Sequence, residues 1–542
     1  MRVAKAAILA VTLFVAAVAV RAQTAVGEVN GTVRDKSGGF VSGATVKLIN
    51  QATGILDQTT TNSDGRFVFI NVKPGQYVLE AESSGFKSTR VSPFTVGVSQ
   101  TVTQNVSLEV DAITERVTVN AEAVMLERSS SELGTVISEQ AISDIPLNGR
   151  NFTQLLTLTP GVTPVSTAQN RSIGCCEGNV GIPGSGFSDA SFHGQENRSK
   201  LYFFDGIINT NIRGPTYIVI PNIDLIQEFK VVGHDAKAEY GGATGGVVDM
   251  VSKAGTNSIH GSVFEYVRNN DFDARNTFTD HNTQTLAPTP PLAYHQNQFG
   301  AQAGAPIIKN RTFISGGYDG WRYSKPSQAL TYVPTAAELS GDFSQTLVSN
   351  PNLYNPYSTV QTGTTTFTRS PFLCDASGTP IPAILTPGPG FGTQPVTPGS
   401  RPCNKIPSNL INPAMQGFLE KYSPTPNLTG VPGFNYQQVR AETNNSNSFQ
   451  VRVDHRFRDR DNVFFRYTEQ RVTAFTPIGD AGSTSGGSQG RNYGGAWIHT
   501  FKPNLILDLR AGYAGRPAVD ADQQNQSSLG TDPMKQLSFK DI

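Results

Sequence analysis

The chain has 542 residues, of which 16% are charged, 37% are hydrophobic and 53 are glycine, a profile that suits many strands and turns better than helices. Basic and acidic side chains balance at 43 each, so no basic field exists to gather nucleic acid or anionic lipid, and nucleic acid is not an expected partner. The four cysteines Cys175, Cys176, Cys374 and Cys403 lie at no metal-ligand spacing, so no metal site is expected from them.

At the N-terminus, Arg2 and Lys5 precede an apolar run from Ala6 to Val20, and Arg21-Ala22-Gln23 follows. This is the pattern of a secretory signal peptide, residues 1–22, cleaved after Ala22. The run is short of the roughly 20 residues a spanning helix needs. No later segment approaches one, so membrane insertion would require strands closed into a barrel. The expected compartment is therefore at or beyond the periplasm, where disulfides form.

From residue 23 to 110, short β-rich runs alternate with turn signals. They are Gly31-Thr32-Val33-Arg34-Asp35, Gly43-Ala44-Thr45-Val46-Lys47-Leu48, Asp64-Gly65-Arg66-Phe67-Val68-Phe69 and Pro74-Gly75-Gln76-Tyr77-Val78-Leu79. Such spacing predicts a small antiparallel sandwich whose core is supplied by Phe67, Phe69, Tyr77 and Leu79. The Gly-containing first strand, Asp-Gly-x-Phe and Pro-Gly-x-Tyr in that order resemble the carboxypeptidase regulatory-like (transthyretin-like) domain. The resemblance implies a binding or spacer module, not a catalytic one.

Residues 111–123 carry the extended segment Ile113-Thr114-Glu115-Arg116-Val117-Thr118-Val119-Asn120. Its alternation of Val117 and Val119 with polar residues fits a strand that adds to another protein's sheet edge, and fits an ordinary interdomain linker as well.

Residues 124–254 hold the most specific motifs. Ile145-Pro146-Leu147-Asn148-Gly149-Arg150-Asn151-Phe152 leads to Leu155-Leu156 and Thr159-Pro160-Gly161-Val162. Then come Gly194-Gln195, the buried-type strand Leu201-Tyr202-Phe203-Phe204, Asp205-Gly206, Glu239-Tyr240-Gly241, Gly245-Gly246-Val247-Val248 and Lys253-Ala254-Gly255-Thr256-Asn257. Each glycine group marks a tight turn or a close backbone approach. In this order the motifs resemble the plug domain of Oar-like TonB-dependent outer-membrane receptors. That resemblance implies an α+β plug, and it implies that Glu115, Arg116, Val117, Thr118 and Val119 are the TonB box, extended and accessible.

From 255 onward the texture is that of a membrane barrel. Phe449, Val451 and Val453 alternate with Gln450, Arg452 and Asp454, and Leu505, Leu507 and Leu509 alternate with Ile506, Asp508 and Arg510. One apolar and one polar face suit lipid on one side and a wet lumen on the other, although the local pattern alone also fits a soluble sheet with one buried face. Strands are expected near 259–268, 298–307, 312–323, 447–457, 462–471, 492–501 and 505–515. Short turns near Lys309-Asn310, Arg458–Asp461 and Lys502-Pro503-Asn504 alternate with long connections at 269–297, 324–446 and 472–491. That alternation characterises outer-membrane barrels. Asn297-Gln298-Phe299-Gly300, Pro306-Ile307-Ile308-Lys309, Val333-Pro334-Thr335 and Gly341-Asp342-Phe343-Ser344 extend the family resemblance.

The expected fold is mainly β: an N-terminal β-sandwich, an α+β plug domain and then a partial antiparallel transmembrane β-barrel. Seven strands ending on an outer loop cannot close a barrel, and plugged transporters have about 22, so a partial or truncated product is expected. Cys374 and Cys403 fall in one long outer loop and are expected to pair. Vicinal Cys175-Cys176 fits a structural loop better than a redox site.

His193-Gly194-Gln195-Glu196 has the His-x-x-Glu spacing of some zinc peptidases, but it lies among plug motifs, and no nucleophile elbow or phosphate loop appears. Neither enzymatic activity nor a cofactor is expected. The resemblance implies an outer-membrane receptor that binds an extracellular solute (oligosaccharide, peptide or metal chelate) and imports it through a plugged barrel with the TonB complex of the inner membrane as partner. Outer-membrane lipid would surround it. The alternative is an adhesive or structural surface protein without transport.

Overall fold

The computed structural model describes residues 26–110, 117–119, 133–165, 189–195, 199–211, 217–236, 240–272, 274, 293–345, 352–478, 482–502, 505–516 and 523–524. These residues fall into two compact units. The first holds a sandwich, a plug and the parts of the wall strands beside them; the second is built on the connection Ser324–Thr443.

The sandwich has nine strands of its own: β1 (Gly27–Asp35), β2 (Thr45–Asn50), β3 (Leu56–Thr60), β4 (Arg66–Val72), β5 (Gly75–Glu82), β6 (Thr89–Val91), β7 (Phe94–Val96), β8 (Thr101–Thr103) and β9 (Val106–Leu108). Phe67, Phe69, Tyr77 and Leu79 are all buried in its core, with Val29, Val33 and Leu48. Period-two alternation delivers them there, since β1 and β4 each bury every second residue along most of their length. The expectation of a purely antiparallel sandwich needs correction. β8 and β9 both pair parallel with β1, because the chain crosses from one sheet to the other before returning to the first strand. A tenth strand, β10 (Val117–Val119), pairs parallel with β6 and ends the order β10-β6-β5-β2-β3.

The plug is a mixed five-stranded sheet in the order β11-β16-β17-β14-β15, from β11 (Leu133–Ile137), β14 (Lys200–Phe204), β15 (Ile207–Ile208), β16 (Ile226–His234) and β17 (Gly246–Ser252). A separate hairpin joins β12 (Val162–Val165) to β13 (Asp189–Phe192). All seven residues of β17 are buried, as expected of a strand covered on both faces. The short helix Glu139–Asp144 and the turn Phe152–Leu158 lay Ile142, Phe152, Leu155 and Leu156 on one side of this sheet, in one core with Tyr202, Phe204 and Phe229.

Seven long strands follow: β18 (His260–Asn269), β19 (His295–Ile308) and β20 (Thr312–Thr331), then, after four two-residue strands, β25 (Tyr436–Arg458), β26 (Asp461–Ile478), β27 (Gly482–Lys502) and β28 (Leu505–Gly515). They pair in sequence order and do not close on themselves, and a short strand, β29 (Gln523–Gln524), pairs with β27. The turns after β19, β25 and β27 are short, and by the rule for outer-membrane barrels they mark the periplasmic end. Phe449, Phe457, Phe465, Trp497, Leu505 and Leu509 are exposed on the outer face. Tyr467, Tyr493 and Tyr513 stack across three neighbouring strands at 6.0 and 5.2 Å, the arrangement of an aromatic girdle. On the opposite face Gln450, Arg452, Asp454, Arg466 and Asn492 are buried.

The third expected long connection, 472–491, is mostly strand: β26 runs on to Ile478 and β27 starts at Gly482. Its Gly, Ser and Thr residues show no apolar alternation in the sequence, yet strand pairing needs only the backbone hydrogen bonds of the ladder. The second unit is likewise not structureless. It contains the helices Ala336–Leu339 and Pro413–Tyr422 and the paired strands β21 (Val360–Gln361) with β22 (Phe367–Thr368) and β23 (Leu373–Cys374) with β24 (Arg401–Pro402). Thr335 and Glu338 form a reciprocal capping box on the first helix.

Candidate functional site: the plug against the wall

Asp205 and Gly206 form the two-residue loop between β14 and β15, with φ of 51° and 75°. A hairpin loop of this length follows the strand twist only when both residues adopt positive φ, which Asp-Gly tolerates best. The turn pushes the Asp205 carboxylate out of the plug and onto the wall. There Arg452 Nη1 donates to Oδ1 at 2.9 Å and Arg466 Nε to Oδ2 at 2.7 Å, while the Ser252 amide and hydroxyl donate at 2.9 and 2.7 Å.

The surrounding groups complete a network. Arg452 also donates to both oxygens of Asp454, at 2.8 and 3.0 Å. Arg466 donates to the Phe204 carbonyl and to Asn492 Oδ1, and its guanidinium lies 3.8 Å from the centroid of the Phe204 ring. Arg510 donates to the Asp205 carbonyl at 3.1 Å. Burial would raise the Asp205 carboxyl, but the Arg452 and Arg466 guanidiniums and the Ser252 hydrogen bonds outweigh it and hold the group below its ordinary value. Asp205 therefore stays ionised and locked to the wall.

Arg150, from the Asn-Gly-Arg-Asn motif, makes a second bridge. Its guanidinium lies 4.2 and 4.6 Å from the Phe264 and Tyr266 ring centroids on β18, and it pairs with Asp224. Neighbouring Asn151 caps the following turn through the Thr153 amide at 3.1 Å.

The other sequence-marked residues are placed as follows. Gly245 and Gly246 are pressed against neighbours: an added Cβ would stand 2.0 Å from Ser199 Oγ and 2.4 Å from the Phe192 ring. Gly194 and Gln195 form the turn after β13, the Gln195 amide donating to the Phe192 carbonyl. Tyr240 is buried against Phe203 and donates to Asp249, whereas an added Cβ at Gly241 meets nothing within 4 Å. Glu115, Arg116, Glu196, Glu239, Cys175, Cys176 and the signal-like segment lie outside the described residues. Val117, Thr118 and Val119 are extended, but their backbone is already paired with the sandwich edge. Cys374 and Cys403 are bonded, with Cα atoms 5.7 Å apart. His193 packs on His234, and no metal-holding cluster exists among the described residues.

Sequence reasoning did not single out Arg452, Asp454, Arg466 or Arg510 as a site. A signal existed, because charges at inward positions of lumen strands need a buried partner. The carboxylate shared by Arg452 and Arg466, that of Asp205, is 247 and 261 residues away and could not be assigned.

A domain seated against the polar face of an antiparallel wall whose other face is apolar and girdled by tyrosines defines a plugged outer-membrane barrel. Residues 251–540 match the family described as outer membrane beta barrel domain, residues 28–109 the carboxypeptidase regulatory-like domain and residues 127–247 the TonB-dependent receptor plug domain. The chain is 23% identical over 266 residues to the TonB-dependent transporter Oar of Myxococcus xanthus, a match covering 48% of this chain and 23% of that protein. The chain belongs to the outer-membrane β-barrel family and, within it, to the Oar-like TonB-dependent receptors, and its location is the outer membrane.

Solved structures with a similar arrangement include the outer membrane transporter YddB from Escherichia coli, at 11% identity and a TM-score of 0.41, over 70% of this chain and 38% of that one. Another is a mutant ferric enterobactin receptor from Pseudomonas aeruginosa in complex with enterobactin, at 12% identity and a TM-score of 0.29, over 70% of this chain and 45% of that one. The chain thus spans less than half the length of each of these relatives.

Proposed function

We propose that the chain forms the sandwich, plug and first wall strands of a receptor that binds an extracellular solute and imports it across the outer membrane, with TonB supplying energy from the periplasm. The observation that carries this reading is the polar, ionic seating of the plug. A plug held by Asp205 on Arg452 and Arg466 blocks the lumen yet, among the described residues, shares no apolar core cluster with the wall, so a pull can detach it. Selectivity then depends on solute binding rather than on pore width.

Residues 115–119 are proposed as the TonB box, supported by the extended, sheet-edge conformation of Val117–Val119. Oligosaccharides, peptides and metal chelates are the candidate solutes. The test uses the receptor at its full natural length. A receptor-null strain is grown across candidate nutrients, and the nutrient it fails to use is then offered to cells in which residues 114–120 are deleted. Loss of growth equal to the null supports transport, whereas unimpaired growth would favour an adhesive or structural role.

A further inference from the structure

The sandwich, the plug and the wall together border an open space beside the Asp205 cluster. A cavity of about 900 Å³ is bounded by sandwich loops (Asn50–Thr53 and Asn71–Tyr77), by plug residues including Gln140 and Glu228, and by wall residues including Arg452 and Asp454. Its size is that of a small-molecule site, and most of the residues that line it are polar or charged, with Val251, Phe313, Phe464 and Ile498 among the apolar ones.

The contacts that hold the sandwich over this cavity are almost all polar. The Asn257 amide donates to the Ala52 carbonyl at 3.0 Å and its side chain to the Thr53 carbonyl at 2.7 Å. Arg456 reaches Asp57 at 2.9 Å, and Lys73 reaches Asp454, itself a member of the plug lock, at 2.6 Å. On the plug side the Val98 amide donates to Glu228 and Lys230 donates to the Ser99 carbonyl at 3.1 Å. Among the described residues, one small cluster of Val98, Val251 and Val136 is the apolar part of this seam. Polar interdomain seams of this kind part readily compared with apolar cores. The strand β10 lies on the edge of the same sandwich through its pairing with β6, so force applied to residues 117–119 is applied to the sandwich.

We propose that the sandwich is a second, periplasmic gate: it narrows the exit from a transit chamber beneath the plug, and it swings away when the strand Val117–Val119 is pulled. The chamber suits a hydrophilic solute, which would cross two gates in series. This inference rests on the transport reading.

The experiment places a cysteine at a half-buried position of the chamber (Gln227→Cys) in the full-length receptor in EDTA-permeabilised cells and measures its modification by a bulky PEG-maleimide, relative to the receptor without that cysteine. A second variant adds Ala52→Cys with Asn257→Cys, at positions whose backbones are hydrogen-bonded to each other, and formation of the disulfide is verified by thiol titration; the two single variants control for folding. Labelling is expected in energised cells growing on a nutrient that needs the receptor. It should fall to background with a protonophore, after deletion of residues 117–119, and when the disulfide is closed, and return on reduction. Labelling that persists with the disulfide closed, or that ignores the protonophore, overturns the gate. TonB-dependent growth that survives the closed disulfide defeats the gate alone, whereas growth indifferent to deletion of residues 114–120 without the cross-link defeats the transport reading.

Discussion

The interior of the plug and its seat on the wall are both buried, yet they are built from opposite materials. Inside the plug, Phe152, Phe229, Tyr202 and Met250 share one apolar cluster; at the seat, Asp205, Arg452, Asp454 and Arg466 are also buried but ionic. Apolar burial is non-directional and strengthens with every atom removed from water. A buried ion pair roughly repays its own desolvation, and mainly dictates which partner fits and where. The core makes the plug a durable body, and the seat makes it a removable one. The sandwich repeats the contrast, with an apolar interior and a polar seam.

Phe229→Ala should sharpen this contrast most. The ring is fully buried and packs edge-on against Phe152 at 5.9 Å, so its loss should cost about 3–5 kcal/mol of plug stability. The urea midpoint of plug unfolding in the purified full-length receptor would report it, and an unchanged midpoint would contradict the core assignment.

Asp205→Ala is expected to cost at least about 3 kcal/mol, because two buried guanidiniums lose their shared partner. The loss should appear as easier release of an intact plug, seen as protease sensitivity at the plug boundaries, rather than as unfolding within it. If the plug melts internally instead, the separation of core from seat fails.

The seam should also respond to pH through Glu228. Burial pushes this carboxyl up to about 7 from its ordinary value of 4.5, with nearby Glu139 adding to the rise and the Val98 amide opposing it. A carboxyl raised in the docked state favours docking below its undocked value, and that contribution is lost as pH rises through about 7. Docking of the sandwich should therefore weaken by about tenfold between pH 6 and pH 8, measured by the labelling of Gln227→Cys in the purified receptor. Glu228→Gln should abolish the dependence, and a pH response that persists in that variant would assign it elsewhere.

The smallest effect is expected at the sandwich surface. Lys47 pairs with Glu82 at 2.8 Å across neighbouring strands, with both side chains partly exposed. Lys47→Ala should change the thermal midpoint by an amount worth about 0.2–1 kcal/mol. A larger loss would mean that exposed ion pairs in this sandwich matter as much as its core.

The local rules of the sequence already determined the elements. Phe67 and Phe69 alternate into a core because strand side chains have period two, Asp205-Gly206 turns because few pairs accept two positive φ values, and Phe449, Val451 and Val453 face lipid opposite Gln450, Arg452 and Asp454 for the same period-two reason. Seven wall strands were legible in this way. Where polarity carried no such signal, as in Gly482–Gln489, strand was mistaken for loop. Only the tertiary structure decided which charges meet. Coulombic pairing is long-range in sequence and leaves no periodic trace, so nothing local connects Asp205 to Arg452 and Arg466, Lys73 to Asp454, or Glu228 to the Val98 amide. The pairing of Val117–Val119 with Thr89–Val91 was hidden for the same reason, because backbone hydrogen bonds at a sheet edge accept almost any side chain.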